Sequence, residues 1–440
     1  MILLNFTRRF ICLLCLGFLI LIFGIIVNNY FSLFIIYNLI CAALLITDYF
    51  ISVNEQDFIV ERCGDENLSI YEKESIGFKV YNKGDYKLYV KLKDEIPDFH
   101  FKAENKIMED YILPKEKKFL QYFVVPTKRG AFTFNNVYVK CRGKLGLCEK
   151  IFKINISKEY KVYPNLKNLR KYRISICNNR MFKQGQRNLR ILGKGTSFES
   201  LREYVSGDEY RKINWKVTAR ANKPIINQYE PEKNQHVYIF IDAGRPMSYS
   251  IKGYRKLDMA VNTALVLSDV VNRTGDQSAL ILFSTEVKNM LLPGKGNEHR
   301  AKMLEMLYHV QPNNETSNYD EAFYYFKKKE RHNSIIFLFT DFDTLEEAEN
   351  MIKVLPIISR NNRVVIILMK NEELNKISTM EIKNEKDIFN KGVALELLED
   401  RRKIISLLNR RGVLCLECAA EEIEYAAVNK YIQVKNKSYL

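Results

Sequence analysis

The chain has 440 residues, a formal net charge of +16 and 47% hydrophobic residues. This length allows two or three domains with separate cores, and the apolar content excludes wholesale disorder. Lysine and arginine are interspersed with acidic residues instead of forming long blocks. The excess charge therefore indicates a general lysine bias with some attraction to an anionic membrane, and we expect no nucleic-acid partner.

Two apolar stretches lie near the start of the chain, at about residues 10–27 and 31–50, and they carry no charge from Phe10 to Val27 and from Phe31 to Ile46. Each is close to the roughly 20 residues that a helix needs to cross a bilayer, and no signal-peptide cleavage site separates them. Arg8 and Arg9 precede the first stretch, and the link between the stretches is uncharged. Residues 1–52 are therefore predicted to form a transmembrane helical hairpin of a two-pass cell-membrane protein, with cytoplasmic N- and C-termini.

Residues 53–164 contain short runs in which apolar and polar residues alternate, such as IGFKVYN, YKLYVKLK, KKFLQYFVVP and FNNVYVKC. Gly, Asn, Asp and Pro separate these runs. Alternation with period two at this spacing predicts an antiparallel β-sandwich. Residues 165–233 differ from it, because charge is dense and apolar runs are few, and we interpret them as a charged connector.

Residues 234–440 alternate near-continuous apolar runs with helical stretches. The runs HVYIFID, SALILFS, IIFLFTD and VVIILMK are typical of strands buried on both faces of a parallel sheet. The stretches KLDMAVNTALVLSDVV, EEAENMIKVLPII and EDRRKIISLLNRRG have helical periodicity. Strand and helix in alternation predict a doubly wound, Rossmann-type α/β domain.

The common nucleotide-binding and catalytic patterns do not fit. A phosphate loop needs G-x-x-x-x-G-K-[ST], but LGKGTS has Asn188 in place of the first glycine, and in neither LGKGTS nor PGKGNE does Ser or Thr follow the lysine. The five histidines stand in no triad or metal-ligand pattern: His100, His236, His299, His309 and His332. We therefore expect no nucleotide cofactor and no catalytic site.

Cys415 and Cys418 form a CxxC, but no second pair follows at metal-ligand spacing. The surrounding run GVLCLEC has the composition of a strand, so we interpret both thiols as core residues.

One set of polar residues in the α/β part could hold a hard cation. Asp242 ends the first strand, Asp341 ends the run IIFLFTD, and Thr316 and Ser317 lie on a loop that begins a helix. In open parallel sheets ligands bind at the carboxyl ends of the strands, and Mg²⁺ prefers oxygen ligands. The alternative is turn chemistry, since Asp and Ser commonly cap helices and end strands.

The order of these elements resembles the von Willebrand factor A fold, whose metal-ion-dependent adhesion site uses Asp-x-Ser-x-Ser, a Thr and an Asp. Asp242 matches the first position, Ser317 fits the second loop and Asp341 fits the third. Gly244 and Pro246 stand where the two serines of the motif would be. The resemblance therefore implies a degenerate site made of Asp242, Ser317 and Asp341, at which Mg²⁺ is weakly bound or absent.

A second resemblance is longer. GTSFESLREYVSGDEYRKINWKVTARANKPIINQYEPEK, residues 195–233, closely resembles the signature of the bacterial family known as domain of unknown function fifty-eight. KRGAFTFNNVYVKCRGKLGLCEKIF upstream and FIDAGRPM downstream also fit. This resemblance implies a membrane-anchored protein that works beside a MoxR-type AAA+ ATPase in assembly, maturation or stress handling of other proteins.

The signature surrounds Trp215, the only tryptophan, with charged residues. One interpretation is a partner surface, since Trp and Arg are typical of interface hot spots. The other, which we favour for Trp215, is an internal clamp in which this side chain fills the core of the α/β domain. The residues of interest are Arg202, Glu203, Tyr204, Gly207, Asp208, Arg211, Trp215 and Arg220.

The sequence thus favours a membrane-anchored adaptor for protein interactions. Two alternatives stay open: a metal-dependent hydrolase that uses Asp242 and Asp341, and a basic nucleic-acid-binding protein. The client protein and its pathway leave no recognisable signal in the sequence.

Overall fold

The computed structural model describes residues 2–26, 30–97, 99–165, 197–205, 208, 210, 213–230, 234–342 and 344–437. The chain divides into two compact units, Met1–Tyr163 and Pro164–Leu440. The helices are α1 (Arg8–Ile26), α2 (Tyr30–Ile51), α3 (Trp215–Ala221), α4 (Lys256–Arg273), α5 (Gly296–His309), α6 (Tyr319–Lys329), α7 (Leu345–Val354), α8 (Pro356–Ser359), α9 (Glu372–Thr379), α10 (Glu385–Arg410) and α11 (Ile423–Lys437).

The strands of the first unit are β1 (Ile2–Phe6), β2 (Phe58–Cys63), β3 (Asn67–Ser69), β4 (Glu74–Asn82), β5 (Leu88–Asp94), β6 (Phe101–Glu104), β7 (Ile107–Ile112), β8 (Lys117–Pro126), β9 (Gly130–Arg142) and β10 (Cys148–Tyr163). Those of the second are β11 (Ser197–Glu203), β12 (Ile225–Glu230), β13 (His236–Asp242), β14 (Ser250–Ile251), β15 (Tyr254–Arg255), β16 (Gln277–Phe283), β17 (Val287–Gly294), β18 (Ser334–Phe339), β19 (Arg363–Met369) and β20 (Leu414–Cys418).

The first unit contains two sheets. One has the order β1-β10-β9-β5-β7, with β3 added parallel to β10, and the other has the order β2-β4-β8-β6. Arg62 in β2 forms a fully buried ion pair with Asp94 at the end of β5, and Tyr122 in β8 donates to the same carboxylate at 2.7 Å. The predicted antiparallel pairing is confirmed, and this buried group connects the two sheets.

The start of α1 and the end of α2 are both hydrogen-bonded to the turn between β9 and β10 of the first unit. Among the described residues, Phe34–Ile51 of α2 is the helical segment long and apolar enough to span a membrane. Thr7, just before α1, donates its hydroxyl to the Gly146 carbonyl at 2.7 Å. Asp48, in the last turn of α2, accepts backbone N–H groups of the same turn, including that of Leu147 at 2.8 Å. The two helices are therefore anchored to one turn of the sheet.

The second unit is built on a six-stranded sheet of order β17-β16-β13-β18-β19-β20. All neighbours are parallel except β16 and β17, which pair antiparallel. The first strand, β13, lies in the middle, with β16 on one side and β18 on the other. The strand order therefore reverses at β13, and the carboxyl end of this strand is where the topology favours a ligand site.

Several elements differ from the sequence-based prediction. Helix α10 begins at Glu385, well before the predicted stretch, because the helix as a whole is only weakly amphipathic and its periodic signal is therefore weak. β17 was not predicted, since its edge position leaves it half-exposed. The region interpreted as a connector contains the β11–β12 hairpin and α3. Strand β1 lies in the segment that the hydropathy pattern assigned to the membrane hairpin.

Candidate functional site

The candidate site lies at the carboxyl edge of the second unit's sheet. Asp242 is the last residue of β13, and Thr340 and Asp341 follow β18 directly. Because β13 and β18 are parallel neighbours, their carboxyl ends meet at this edge. Both aspartates are nevertheless buried, with exposed fractions of 0% and 2%.

Asp242 is held by donors of its own chain. Ser317 Oγ and the Gly244 N–H donate to Oδ1, the latter at 2.8 Å. Thr340 Oγ1 donates to Oδ2 at 2.6 Å, and the Tyr319 hydroxyl does so at 3.0 Å. Four donors converge on one carboxyl group, so the hydrogen-bonding capacity of Asp242 is used within the domain.

The hydroxyls around Oδ2 also contact each other. Tyr319 Oη and Thr340 Oγ1 are 2.7 Å apart. Asp242 Oδ2, Tyr319 Oη and Thr340 Oγ1 thus make three close contacts with one another. If Asp242 is ionised, only the two hydroxyl protons are available for these contacts, whereas a protonated Asp242 supplies a third proton. Burial raises the pKa of Asp242 above its ordinary value, despite the hydrogen bonds from Ser317 and Thr340. Burial thus outweighs these hydrogen bonds and favours the neutral acid.

Gly244 is required by the close approach of Ser317. A Cβ atom at this position would lie 2.1 Å from Ser317 Oγ and 3.1 Å from the Glu315 carbonyl oxygen. A serine at position 244, as the adhesion motif has it, therefore cannot coexist with the Ser317–Asp242 hydrogen bond. Pro246 is buried in a short 3₁₀ helix and has no side-chain oxygen. Thr316, the neighbour of Ser317, is exposed.

Asp341 is paired with cationic side chains. Lys256 Nζ lies 2.7 Å from Oδ2, and Arg401 Nη1 contacts Oδ1. Arg401 also bonds Glu417 through Nε at 3.0 Å and the Met369 carbonyl through Nη2 at 2.8 Å. Burial alone would raise the pKa of Asp341, but Arg401 and Lys256 outweigh it and the pKa is lowered. Asp341 is thus ionised, and its charge is neutralised by Lys256 and Arg401 of the same unit.

The predicted site residues are therefore only partly brought together. Ser317 reaches Asp242, whereas Asp341 contacts Lys256 and Arg401. A Mg²⁺ ion needs several oxygen ligands with accessible lone pairs. Here one carboxyl group is saturated by donors and the other faces two cations, so the residues present do not fit Mg²⁺. Sequence patterns missed Lys256 and Arg401, because both lie on helices far in the chain from their partner Asp341.

A cavity of about 300 Å³ opens beside Asp341. Its lining combines that carboxylate with the cationic partners Lys256 and Arg401 and with apolar side chains such as Leu374. The cavity lies at the edge where the strand order places a ligand site. It therefore presents both charged and apolar side chains to a ligand.

The family-signature residues lie on the β11–β12 hairpin and α3. Arg202 and Asp208 form an ion pair at 2.6 Å, and Tyr204 stacks on Tyr210 with ring centroids 5.6 Å apart. Glu203 pairs with Lys223, and Arg220, in the last turn of α3, is exposed. Gly207 and Arg211 lie outside the described residues.

Trp215 is 70% exposed, so the prediction that it fills the core of the α/β domain was wrong. The physical reason is its position as the first residue of α3. The Asn214 side chain caps this helix by accepting the Val217 N–H at 3.2 Å, and Thr218 binds the β12 backbone. The helix is therefore fixed to the hairpin by its polar residues, which leaves the indole outside.

The CxxC cysteines both lie on β20. Burial raises the pKa of Cys415 to about 12 and that of Cys418 to about 11. Both are therefore thiols at neutral pH, whereas redox chemistry and metal binding require thiolates. Packing on the edge strand is the role that this geometry supports.

Comparisons with known proteins match only parts of this chain. YeaD, an uncharacterized protein of Bacillus subtilis, is 24% identical over 195 residues, which cover 44% of this chain and 46% of YeaD. The uncharacterized protein Rv1480 of Mycobacterium tuberculosis is 22% identical over 117 residues, which cover 27% of this chain and 37% of that protein. The matched part of the chain thus spans less than half the length of these curated relatives.

Two solved structures are also similar to parts of the chain. The conserved hypothetical protein BatB from Bacteroides thetaiotaomicron matches with 12% identity and a TM-score of 0.28, covering 46% of this chain and 100% of BatB. A FixG-related protein from Vibrio parahaemolyticus matches with 12% identity and a TM-score of 0.18, covering 25% of this chain and 98% of that one. TM-scores this low do not establish a shared fold.

The family comparison agrees with the signature in the sequence. The model of the family described as "Protein of unknown function DUF58" matches residues 200–393. This range begins in β11, includes Trp215 and both aspartates of the candidate site, and ends within α10. Residues 200–393 are therefore a DUF58 domain, which assigns this part of the chain to the family described as "Protein of unknown function DUF58".

Proposed function

We propose that this chain is a membrane-anchored, non-catalytic adaptor that binds a protein partner through the β11–β12 hairpin and α3. The observation that carries the proposal is the exposure of Trp215, which is 70% accessible, together with that of Tyr210 at 74% and Val205 at 60% in the same segment of the chain. Large apolar side chains grouped at a surface are typical of protein interaction sites, and Trp is enriched among interface hot spots. Arg220 adds a cationic group on the same short helix.

The proposed partner is a MoxR-type AAA+ ATPase, as the resemblance of the signature to its bacterial family implies. The adaptor would help this ATPase in assembly, maturation or stress handling of other proteins. Support for a binding role without chemistry comes from the candidate site, because both of its carboxyl groups are engaged by side chains of the same domain. A partner would therefore meet a preformed surface.

We also propose that the second unit is a von Willebrand factor A-like domain that works without a metal ion. The position of β13 in the middle of the sheet and the placement of Asp242, Ser317 and Asp341 at one edge support this assignment. In this proposal Lys256 and Arg401 together supply the positive charge that a metal cation would bring to such a site. The domain would then still use the carboxyl edge of its sheet for recognition, but it would not depend on Mg²⁺.

Trp215→Ala is expected to weaken binding of the ATPase at least about tenfold, because loss of an exposed aromatic anchor removes a hot spot. The full-length tagged chain, extracted from membranes with detergent, would be used to capture the MoxR-type ATPase of the same organism. Since Trp215 is the only tryptophan, its fluorescence emission should also shift to the blue when the partner covers it.

Tyr324→Ala is the matched control for this experiment. Tyr324 is 68% exposed and lies on α6, away from the signature hairpin in the sequence. This variant should bind the ATPase like the wild type. The proposal fails if the wild-type chain does not retain the ATPase, or if Trp215→Ala and Tyr324→Ala bind it equally well.

For the N-terminal part we propose a two-pass membrane hairpin with both ends in the cytoplasm. Strand β1 precedes α1, and β10 follows α2, yet the two strands pair antiparallel from Ile2↔Phe152 to Phe6↔Cys148. Since both helix ends connect to one sheet, they belong on the same side of any bilayer that α2 crosses. This requirement supports a second crossing by α1, and Arg8 and Arg9 support the cytoplasmic side.

Single cysteines test this topology. In a background without the native cysteines, Asn28→Cys lies between the two helices in sequence, and Lys128→Cys lies on an exposed position of the first unit. In right-side-out vesicles, a membrane-impermeant maleimide should label Asn28→Cys at once and Lys128→Cys only after permeabilisation. Equal labelling of the two before permeabilisation would contradict the two-pass arrangement.

A further inference from the structure

Two histidines and a glutamate meet at the amino-terminal edge of the second unit's sheet, opposite to the Asp242 edge. His236 is the first residue of β13, while Glu330 and His332 lie between α6 and β18. One ligand atom from each of these three side chains lies within 4.8 Å of the other two. His236 Nδ1 is 2.7 Å from Glu330 Oε2, and His332 Nδ1 is 2.9 Å from Oε1.

This donor set differs in chemistry from the Asp242 edge. Two imidazole nitrogens and one carboxylate oxygen suit Zn²⁺ and similar transition metals, whereas Mg²⁺ and Ca²⁺ prefer oxygen ligands only. We propose that His236, Glu330 and His332 bind one divalent transition-metal ion of the Zn²⁺ type. The His332 side chain is 78% exposed, so solvent can reach the site and complete the coordination.

The geometry requires little rearrangement for the metal to enter. Bonds of about 2.0–2.2 Å from zinc to nitrogen and oxygen place neighbouring ligands roughly 3–4 Å apart, close to the spacing of the three side chains. In the arrangement described, both imidazoles share an Nδ1 hydrogen with the carboxylate. A metal ion would replace these two hydrogens, and each ring would carry its proton on Nε2 instead.

Glu330 is also oriented by groups outside the three ligands. Its side chain is only 5% exposed, the Tyr238 hydroxyl donates to Oε2 at 2.9 Å, and the His332 N–H donates to Oε1 at 2.7 Å. Hydrogen bonds of this kind fix a ligating carboxylate and commonly contribute about 10- to 100-fold to metal affinity. Tyr238 is therefore a positioning residue of the proposed site.

The pattern of residues along the chain did not indicate this cluster. Glu330 and His332 are close in the chain, but His236 is far from both and joins them only because β13 and β18 are adjacent parallel strands. Histidine spacing along the chain therefore contained no recognisable motif, and the ligand set became visible only with the strand order.

The test is a titration of the purified full-length chain with Co²⁺ as a spectroscopic probe, followed by displacement with Zn²⁺. One equivalent of Co²⁺ should bind and give the visible absorption band that is typical of Co²⁺ with a low coordination number. Added Zn²⁺ should displace the Co²⁺ and abolish this band. His332→Ala should weaken binding at least about tenfold, and Tyr238→Phe by a similar factor. His332 is exposed, so its removal leaves the fold intact.

His309→Ala serves as the matched control, because His309 forms an exposed pair with Glu305 at 2.9 Å but belongs to no three-residue cluster among the described residues. Its Co²⁺ affinity should equal that of the wild type. Absence of a one-equivalent site, or equal affinity in His332→Ala and His309→Ala, would overturn the proposal. Neither outcome depends on whether the adaptor binds an ATPase.

Discussion

Replacing Asp242 with alanine is expected to lower the free energy of unfolding of the second unit by about 3 kcal/mol or more. The reason is that its removal leaves the hydroxyls of Tyr319 and Thr340 and the Gly244 N–H without their acceptor in a fully buried place. Each buried polar group left unpaired costs about 1–3 kcal/mol. Hydrogen exchange of peptides from β13 and β18 measures this local stability.

Asp242→Asn is the matched variant, and it should be much less harmful. Asparagine keeps one acceptor for Gly244 and Ser317, and its amide can donate to Tyr319 or Thr340, whose hydroxyls also accept. We expect a loss of about 1 kcal/mol or less. If the alanine and asparagine variants were equally unstable, the hydrogen-bond network would not be what holds this edge.

The same variant reveals a pH dependence with a definite sign. The pKa of Asp242 is raised by burial, so the folded chain keeps this proton to a higher pH than the unfolded chain, in which the pKa is about 3.9. The stability from this proton is fully present below about pH 3.9 and is lost as the pH rises through the raised pKa of folded Asp242. Asp242→Asn does not titrate there.

The stability of the wild type minus that of Asp242→Asn should therefore fall as the pH rises from about 4 towards neutrality. Asp341 titrates in both proteins, so its contribution cancels in this difference. A difference that rises with pH would mean that Asp242 functions as an ion, as a metal ligand does.

The apolar patterns were sufficient to predict the parallel strands of the second unit's sheet, although not the antiparallel edge strand β17. HVYIFID and IIFLFTD became β13 and β18, because runs without polar residues fit only strands covered on both faces. The position of Asp242 and Asp341 at one edge follows from such strands being parallel. The pattern could not predict the direction of each side chain, because that direction depends on partners distant in sequence.

Lys256 and Trp215 illustrate this limit. Lys256 is the first residue of α4, and nothing in its neighbourhood in the chain indicates that it pairs with Asp341. Trp215 was assigned to the core on the average behaviour of tryptophan, whereas the Asn214 cap places it at an exposed helix start. The sequence pattern singled out Trp215 but not Lys256, and tertiary contacts decided the surroundings of both.

Removing one of the two cations that neutralise Asp341 is the second change with a large expected effect. Arg401→Met should cost about 3 kcal/mol, because it leaves Asp341 with Lys256 alone and takes a donor from the Met369 carbonyl. Removing one member of a buried ion pair typically costs about 3–5 kcal/mol, since the remaining charge stays desolvated. Hydrogen exchange of β18 and β19 peptides would again report the loss. Lys403→Met, on the same helix, should leave stability nearly unchanged, because its Nζ pairs with Glu399 in solvent.

A double-mutant cycle with Asp341→Asn tests whether the pair itself is responsible. The double variant Arg401→Met/Asp341→Asn should be more stable than the sum of the two single effects implies, by at least about 1 kcal/mol, because neither charge is then left without its partner.

Arg401→Met also removes one cation from the edge at which Mg²⁺ would sit. If the edge were a suppressed metal site, millimolar Mg²⁺ would restore the stability of this variant by mass action. We expect no such rescue, since Asp242 remains engaged by its four donors and Gly244 and Pro246 provide no side-chain oxygen. Rescue by Mg²⁺ would show that Arg401 replaces a metal only conditionally, and the metal-independent adaptor would have to be abandoned.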